Sequence, residues 1–121
     1  MLPERDATLL RDMRDQARLA IDVTVGRTRD EMATDPLLPL ALERLIAVIG
    51  EAASQVTEGT RAWLVTLPWR QMVAMRNRLI HAYWTVDHGV VWDTVRDDLP
   101  GLVAELERIL TDHAEPPNGD A

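Results

Sequence analysis

The sequence predicts an all-α fold, an up-and-down bundle of four to five helices. Apolar residues recur at helical spacing through most of the chain, no segment shows the alternation typical of strands, and Pro or Gly separates the periodic segments. A length of 121 residues suits one domain that folds without disulfides. We therefore expect a single helical domain over residues 1–114, followed by a disordered tail over residues 115–121 that carries Pro-Pro and Asn-Gly.

The first two predicted helices cover the N-terminal half of the chain. Helical spacing of apolar residues over 9–21 predicts a first helix that ends at about Met32. Asp35 is then a good N-cap and Pro36 a good first residue, so a second helix is predicted to run to about Thr57. Its apolar stripe is wide, so this helix is either central or also meets a partner. The stripe consists of Leu38, Leu42, Leu45, Ile49 and Val56, widened by Leu37, Leu40, Ala41 and Val48.

Turn signals divide the C-terminal half into three further helices. Gly59-Thr60 is predicted to end the second helix, and Pro68 to open a third that runs to about Trp84. After the turn Asp87-His88-Gly89, a short helix is predicted from Val90 to about Arg96. Pro100 then starts the last helix, which ends near Leu110.

Acidic residues dominate the charge of the chain, with one local exception. The net charge of −7 argues against broad nucleic-acid binding, because nonspecific affinity comes from neutralising many phosphates. Between Glu58 and Asp87, however, there is no acidic residue, and this window holds four of the thirteen arginines. Arginine has the planar fork that suits phosphate. Any RNA site is therefore predicted to be local to this window, unless the acids are missing by chance.

Composition also bears on compartment and metal binding. The chain has no cysteine, which excludes disulfides and thiolate metal sites and fits a reducing compartment. Charged residues interrupt the first fifteen positions, unlike a signal peptide, and the longest apolar stretches, such as 45–49, are too short to span a bilayer. We expect a cytoplasmic protein with no membrane association.

Arg76 lies at the centre of the apolar stripe of the third predicted helix. At about 100° per residue, several apolar residues fall within about 60° of it: Trp69, Met72, Val73, Leu79, Ile80 and Tyr83. A guanidinium does not lose its charge, so the position requires a carboxylate, a phosphate or an interface with water. The alternative to a functional site is a structural pair with a carboxylate such as Glu51.

His81 lies about 140° around the same helix from Arg76, so one straight helix cannot direct both side chains at one atom. Either the helix bends or frays near His81, or two copies of the helix meet across a two-fold axis and share one cleft. The second arrangement also accounts for the wide apolar stripe of the second helix. The simpler alternatives are a surface or capping role for His81 and a core position for Tyr83.

The segment Arg76-Asn77-Arg78-Leu79-Ile80-His81-Ala82-Tyr83 resembles the Arg-x4-His-x-Tyr signature of HepT-like toxins in the HEPN superfamily. The spacing matches throughout. Four flanking stretches are also similar to the family's pattern, and the resemblance covers roughly residues 17–110. These stretches are Ile49-Gly50-Glu51-Ala52, Leu67-Pro68-Trp69, Val86-Asp87 and Asp98-Leu99-Pro100.

The resemblance implies a HEPN-like homodimer whose two motif helices face each other and form a composite ribonuclease site without metal or cofactor. Arg76 and His81 would be the catalytic pair, while Asn77 and Tyr83 would help to position the RNA. The resemblance also implies a cognate antitoxin, a minimal nucleotidyltransferase that silences the toxin by attaching AMP to the motif tyrosine. Here that residue would be Tyr83.

The residue types of the motif suit RNA cleavage. RNA supplies its own nucleophile, the 2′-hydroxyl, so the enzyme needs proton transfer and a cation for the charge that builds on the phosphate. His81 and Arg76 would supply these, and cleavage would leave a 2′,3′-cyclic phosphate.

Two other functions compete with this interpretation. The first is a non-catalytic helical dimer that binds nucleotides or docks a nucleotidyltransferase. The second, a metal-dependent hydrolase, is disfavoured because His81, His88 and His113 lack the two-turn spacing of zinc ligands. The four tryptophans receive no site role, since at helical spacing they are more often core or dimer contacts than stacking platforms.

Overall fold

Four long helices determine the architecture of the protein. The computed structural model describes residues 2–113. Its helices, in chain order, are α1 (Glu4–Thr24), α2 (Glu31–Thr34), α3 (Leu37–Gln55), α4 (Glu58–Trp63), α5 (Trp69–His81), α6 (His88–Asp93) and α7 (Leu99–Asp112). Helix α3 packs between α1 and α5, and α7 packs against α1. The predicted all-α, up-and-down bundle is confirmed, and the described part of the chain contains no strand.

The wide apolar stripe of α3 reflects its central position. Leu38, Leu42 and Ile49 are buried against the neighbouring helices, and Val56 is buried just after the helix ends. Leu37 and Leu40, by contrast, are 71% and 63% exposed. The prediction that this helix is central is therefore confirmed, and part of its apolar surface remains uncovered within one chain.

The first helix ends at Thr24, not near Met32 as the apolar spacing predicts. Gly26 adopts a left-handed backbone conformation with φ 75°, which reverses the chain and which only glycine adopts readily. Met32 belongs instead to the separate four-residue helix α2. Arg27 braces this connection through ion pairs with Glu31 and with Asp35.

Helix α4 is missing from the sequence prediction, which takes Gly59-Thr60 as an end signal. The structure shows that its first turn is bound to the fully buried Asp6 of α1. Asp6 Oδ1 accepts from the backbone N of Thr57 at 3.1 Å, and Oδ2 accepts from the hydroxyls of Thr57 and Thr60 at 2.6 Å each. Burial alone would raise the pKa of Asp6, but these hydrogen bonds hold it below its usual value.

The last two predicted helices are joined in the structure. Residues of α6 continue through a π-helical turn, Thr94–Asp98, directly into α7. A π-helical turn interrupts the regular hydrogen-bond ladder, so Pro100 is accommodated there without a break in the helix. The predicted separation into Val90–Arg96 and a helix starting at Pro100 is wrong for this reason. Asp87, in the predicted turn, caps α6 by accepting from the backbone N of Gly89 at 2.6 Å.

Within residues 2–113, no helix is both long and apolar enough to cross a membrane. The predicted disordered tail over residues 115–121 lies outside the described residues.

Candidate functional site

Helices α3 and α5 approach each other closely at Gly50. A Cβ atom placed on Gly50 would lie 2.3 Å from Cβ of Arg76 and 2.5 Å from the carbonyl oxygen of Met72. These distances are shorter than van der Waals contact, so any larger residue would push the helices apart. Gly50 therefore fixes the start of the Arg76 side chain against α3.

The guanidinium of Arg76 is held at both ends by groups of the same chain. Its Nη2 lies 2.6 Å from Oε1 of Glu51, and its Nη1 donates to Oδ1 of Asn77 at 2.8 Å. Its Nε is buried and has no hydrogen-bond partner among the described residues. Of the three surroundings that the sequence left open for Arg76, the structure shows a carboxylate, and it is Glu51, the residue named in the structural alternative.

The pair of Arg76 and Glu51 is open to solvent. The exposed fraction is 27% for the Arg76 side chain and 47% for that of Glu51, so the pair lies at the rim of the α3–α5 seam. A guanidinium at such a rim can bind an incoming phosphate, either in place of the carboxylate or through N–H groups that the carboxylate does not use. A purely internal ion pair would not be open in this way.

His81 is the last residue of α5 and is exposed. The helix is regular from Arg76 through His81, and the backbone leaves helical geometry only at Ala82, with φ −144° and ψ 41°. The two side chains therefore project about 140° apart around the helix axis. The first arrangement considered for them was a helix that bends or frays near His81; the helix does end at His81, but its backbone is regular up to that residue. The prediction that the helix continues to Trp84 is wrong.

A short turn presents Tyr83 to solvent. A 3₁₀ turn over Tyr83–Thr85 follows α5, and Nη2 of Arg78 donates to the carbonyl oxygen of Thr85 at 3.0 Å. The hydroxyl of Thr85 donates back to the carbonyl oxygen of Ala82 at 2.7 Å. Tyr83 is 66% exposed, so the alternative of a core position for this residue is wrong.

The four tryptophans divide into two structural groups. Trp92 is buried, and Trp69 is half-buried, with its Nε1 donating to the carbonyl oxygen of Leu64 at 2.9 Å. Trp63 and Trp84 are 48% and 72% exposed. The expectation that the tryptophans are core or dimer contacts is confirmed for the first pair, which packs within the chain, whereas the second pair is exposed in a single chain.

The structure adds two residues to the predicted site. Sequence reasoning gives Glu51 only a possible structural role and gives Gly50 none, although both lie in a stretch that resembles the family. The available signal was a glycine inside an otherwise apolar helix, since glycine weakens a helix unless a close approach requires it. Among residues 2–113, no three His, Asp or Glu side chains form a cluster of the kind that holds a metal ion.

Comparison with known protein families shows the family to which this chain belongs. The model of the family described as "Ribonuclease HepT-like" matches residues 13–109. The chain belongs to the HepT-like ribonuclease family. This confirms the resemblance seen in the motif and assigns the protein to a family of ribonucleases.

Similar proteins cover nearly the whole chain. A protein of Thermococcus cleftensis named "Probable ribonuclease HepT" is 32% identical over 100 residues, which are 83% of this chain and 91% of that protein. Two proteins of Methanocaldococcus jannaschii, each named "Putative RNase", are 31% and 30% identical over 92% and 88% of this chain, and over 93% and 98% of their own lengths. No solved structure matches the chain significantly.

Proposed function

We propose that this protein is the toxin of a toxin–antitoxin pair, a metal-independent endoribonuclease that cleaves RNA by attack of the 2′-hydroxyl. The observation that carries the proposal is the regular helix α5, which presents a braced arginine and an exposed histidine in the spacing of the family motif. Family membership supports the ribonuclease class. The roles of the individual residues are our assignment.

Arg76 binds the scissile phosphate in this proposal. Both ends of its side chain are already fixed, the Cβ by its close approach to Gly50 and the guanidinium by the ion pair with Glu51. A guanidinium that is held in position before the substrate arrives loses little conformational freedom when it binds phosphate oxygens. Asn77, which accepts from Nη1 of Arg76, steadies the same group and places its amide beside the phosphate.

His81 transfers the proton in the proposed reaction. An imidazole can take the proton from the 2′-hydroxyl as its oxygen bonds to phosphorus, while the bond from phosphorus to the 5′-oxygen of the next nucleotide breaks and that oxygen takes up a proton from water. The products are a 2′,3′-cyclic phosphate and a 5′-hydroxyl. The exposure of His81 at the end of α5 leaves it accessible to a substrate as large as RNA.

We further propose that two copies of the chain complete the site. Because Arg76 and His81 project about 140° apart on a regular helix, the imidazole that serves one phosphate comes from the second copy. Exposed apolar residues on α3 and α5, the two helices that meet at Arg76, are available to such an interface. They are Leu37, Leu40 and Ile80.

Tyr83 is the proposed point of control. Its exposed phenol is accessible to a nucleotidyltransferase antitoxin, in which the phenolic oxygen would bond to the α-phosphorus of ATP as pyrophosphate leaves. The attached AMP adds bulk and negative charge two residues from His81, which repels and blocks RNA.

The direct test is to incubate the purified protein with total RNA in the presence of EDTA, beside the His81→Ala variant. Its mass must first show that it carries no AMP. We expect new fragments with 2′,3′-cyclic phosphate ends from the unsubstituted protein only. Intact RNA with both proteins would instead favour the non-catalytic dimer that binds nucleotides or docks a nucleotidyltransferase. Cleavage that EDTA abolishes would contradict metal independence.

A further inference from the structure

Trp84 is the most exposed tryptophan of the described chain and has no role in the mechanism above. Its exposed fraction is 72%, and among residues 2–113 the only aromatic ring that contacts it is that of Tyr83, with ring centroids 5.4 Å apart at 81°. In this edge-on arrangement, Tyr83 covers at most one face of the indole. At least one face of the largest apolar side chain in the motif region is therefore open.

We propose that the open face of Trp84 stacks on an unpaired nucleobase next to the cleaved linkage, so that the substrate is single-stranded RNA. This inference rests on the proposed ribonuclease function and adds its substrate class. Stacking on an aromatic ring requires a base that is not already stacked in a duplex, which is why such platforms select single strands.

The backbone below Trp84 is held in place, as a platform requires. The carbonyl oxygen of Thr85 accepts from Arg78 at 3.0 Å, and the backbone N of Val86 donates to the carbonyl oxygen of Tyr83 at 3.1 Å. The 3₁₀ turn is thereby tied to α5. Because the backbone of the turn is already fixed, only the side-chain torsions of the indole have to be ordered when a base binds.

The charge around Trp84 favours a nucleotide over an apolar protein segment. Arg78 is exposed, and its Nη2 donates to the carbonyl oxygen of Thr85, the residue next to Trp84. Two further arginines of the acid-free window lie along the same helix, the exposed Arg70 at its start and Arg76 in its ion pair with Glu51. Single-strand binding sites combine basic groups that follow the backbone with aromatic rings that stack on the bases. A protein partner with an apolar anchor would not need these arginines.

The position of Trp84 limits which base it can contact. Trp84 follows His81 by three residues, and three residues span at most about 11 Å. The base that stacks on Trp84 therefore belongs to a nucleotide near the 2′-hydroxyl that His81 deprotonates, and Trp84 contributes to the choice of cleavage site as well as to affinity.

The test separates stacking from backbone binding by using probes with and without bases. In a His81→Ala background, which prevents cleavage, the affinity is measured for a short oligoadenylate and for a ribose-phosphate oligomer of the same length that lacks bases. Trp84→Ala should weaken oligoadenylate binding by about 5- to 150-fold and leave binding of the base-free oligomer unchanged. Trp84→Phe, which keeps a ring, should recover part of the loss.

Trp63→Ala is the matched control, because Trp63 is also exposed but lies on α4 against His113, outside the motif helix. It should leave both affinities unchanged. Equal losses on both probes from Trp84→Ala would overturn the stacking role. So would conversion of the dimer to a monomer in light scattering, because Trp84 would then be a contact between copies.

The same variants distinguish this inference from the proposed function. If the unsubstituted protein cleaves no RNA but binds oligoadenylate through Trp84, the ribonuclease proposal fails and the platform stands. If the protein cleaves RNA, and Trp84→Ala cleaves single-stranded and duplex RNA as the unsubstituted protein does, the stacking role of Trp84 is wrong and the ribonuclease proposal is retained.

Discussion

Two carboxylates on neighbouring helices bind donors from other parts of the chain, and the burial of the two groups differs. Asp6 on α1 is fully buried and accepts three hydrogen bonds from Thr57 and Thr60. Glu51 on α3 lies at the surface, where it forms an ion pair with Arg76. The Asp6 group is closed to any ligand, whereas the Arg76 group can still accept a phosphate.

The buried Asp6 cluster stabilises the fold, whereas the exposed pair of Arg76 and Glu51 is available for chemistry. A buried, fully paired carboxylate contributes to stability because its loss leaves unsatisfied donors in the core. An exposed ion pair contributes little to stability but can orient a guanidinium. Substitutions in the two regions should therefore separate stability from activity.

The largest effect is expected at His81. His81→Ala should lower the rate of RNA cleavage by about 10²- to 10⁴-fold, the usual contribution of a general acid or base, while the melting temperature stays the same. His88→Ala is the matched control, because His88 is also exposed but binds Glu43 at 3.2 Å on another helix. A similar loss in both variants would show that neither effect is specific to the motif.

Gly50→Ala should affect both stability and activity. The added methyl group would overlap Arg76 and the backbone of Met72, which costs about 1–3 kcal/mol of the free energy of unfolding and displaces the guanidinium. Gly101→Ala in α7 is the control, since a Cβ there would meet no atom of another helix within 4 Å. Thermal melting and cleavage assays on both variants measure the two effects. Unchanged cleavage by Gly50→Ala would contradict the positioning of Arg76 by α3.

Asp6→Asn should destabilise the fold by about 1–3 kcal/mol without changing the activity of the folded fraction. The hydrogen bonds from Thr57 and Thr60 hold the pKa of Asp6 below its usual value despite its burial. Its stabilising contribution is therefore complete above the pKa of an unfolded carboxyl group and is lost as the pH falls through the lower folded value. Denaturant unfolding at neutral and acid pH should show less acid destabilisation for Asp6→Asn than for the unsubstituted protein. Parallel pH curves would contradict this role.

Glu51→Gln should have the smallest effect on stability, less than about 1 kcal/mol, because the pair with Arg76 is exposed. Its effect should appear in catalysis, as a lower kcat that a conservative Glu51→Asp recovers in part. A change in melting temperature with unchanged kcat would assign Glu51 a structural role only.

The helices could be predicted from the sequence because apolar spacing and Pro or Gly punctuation are local signals. The errors came from non-local contacts. Helix α4 depends on the hydrogen bond from Thr60 to Asp6, about fifty residues away. No local sequence pattern predicts that contact. The early end of α1 depends on the left-handed conformation of Gly26. Because the prediction extended the helical spacing to Met32, it missed this end.

The residues of the site likewise divide into those that local signals predicted and those that they did not. The motif placed Arg76 and His81 on one helix, and the charge of Arg76 required a partner, which proved to be Glu51. The exposure of Tyr83 and Trp84 could not be predicted, because helical spacing places Tyr83 on the buried stripe if the helix continues. The helix ends at His81, and the residues after it turn towards solvent.

The pairing of Arg76 from one copy with His81 from the other underlies the proposed mechanism. It is tested most directly by mixing the purified Arg76→Ala and His81→Ala variants after unfolding and refolding them together. Each variant alone is expected to be inactive, and the mixture should regain ribonuclease activity, because a mixed dimer contains one intact pair of Arg76 and His81 from different copies. A mixture that forms dimers yet stays as inactive as its components would contradict the shared site.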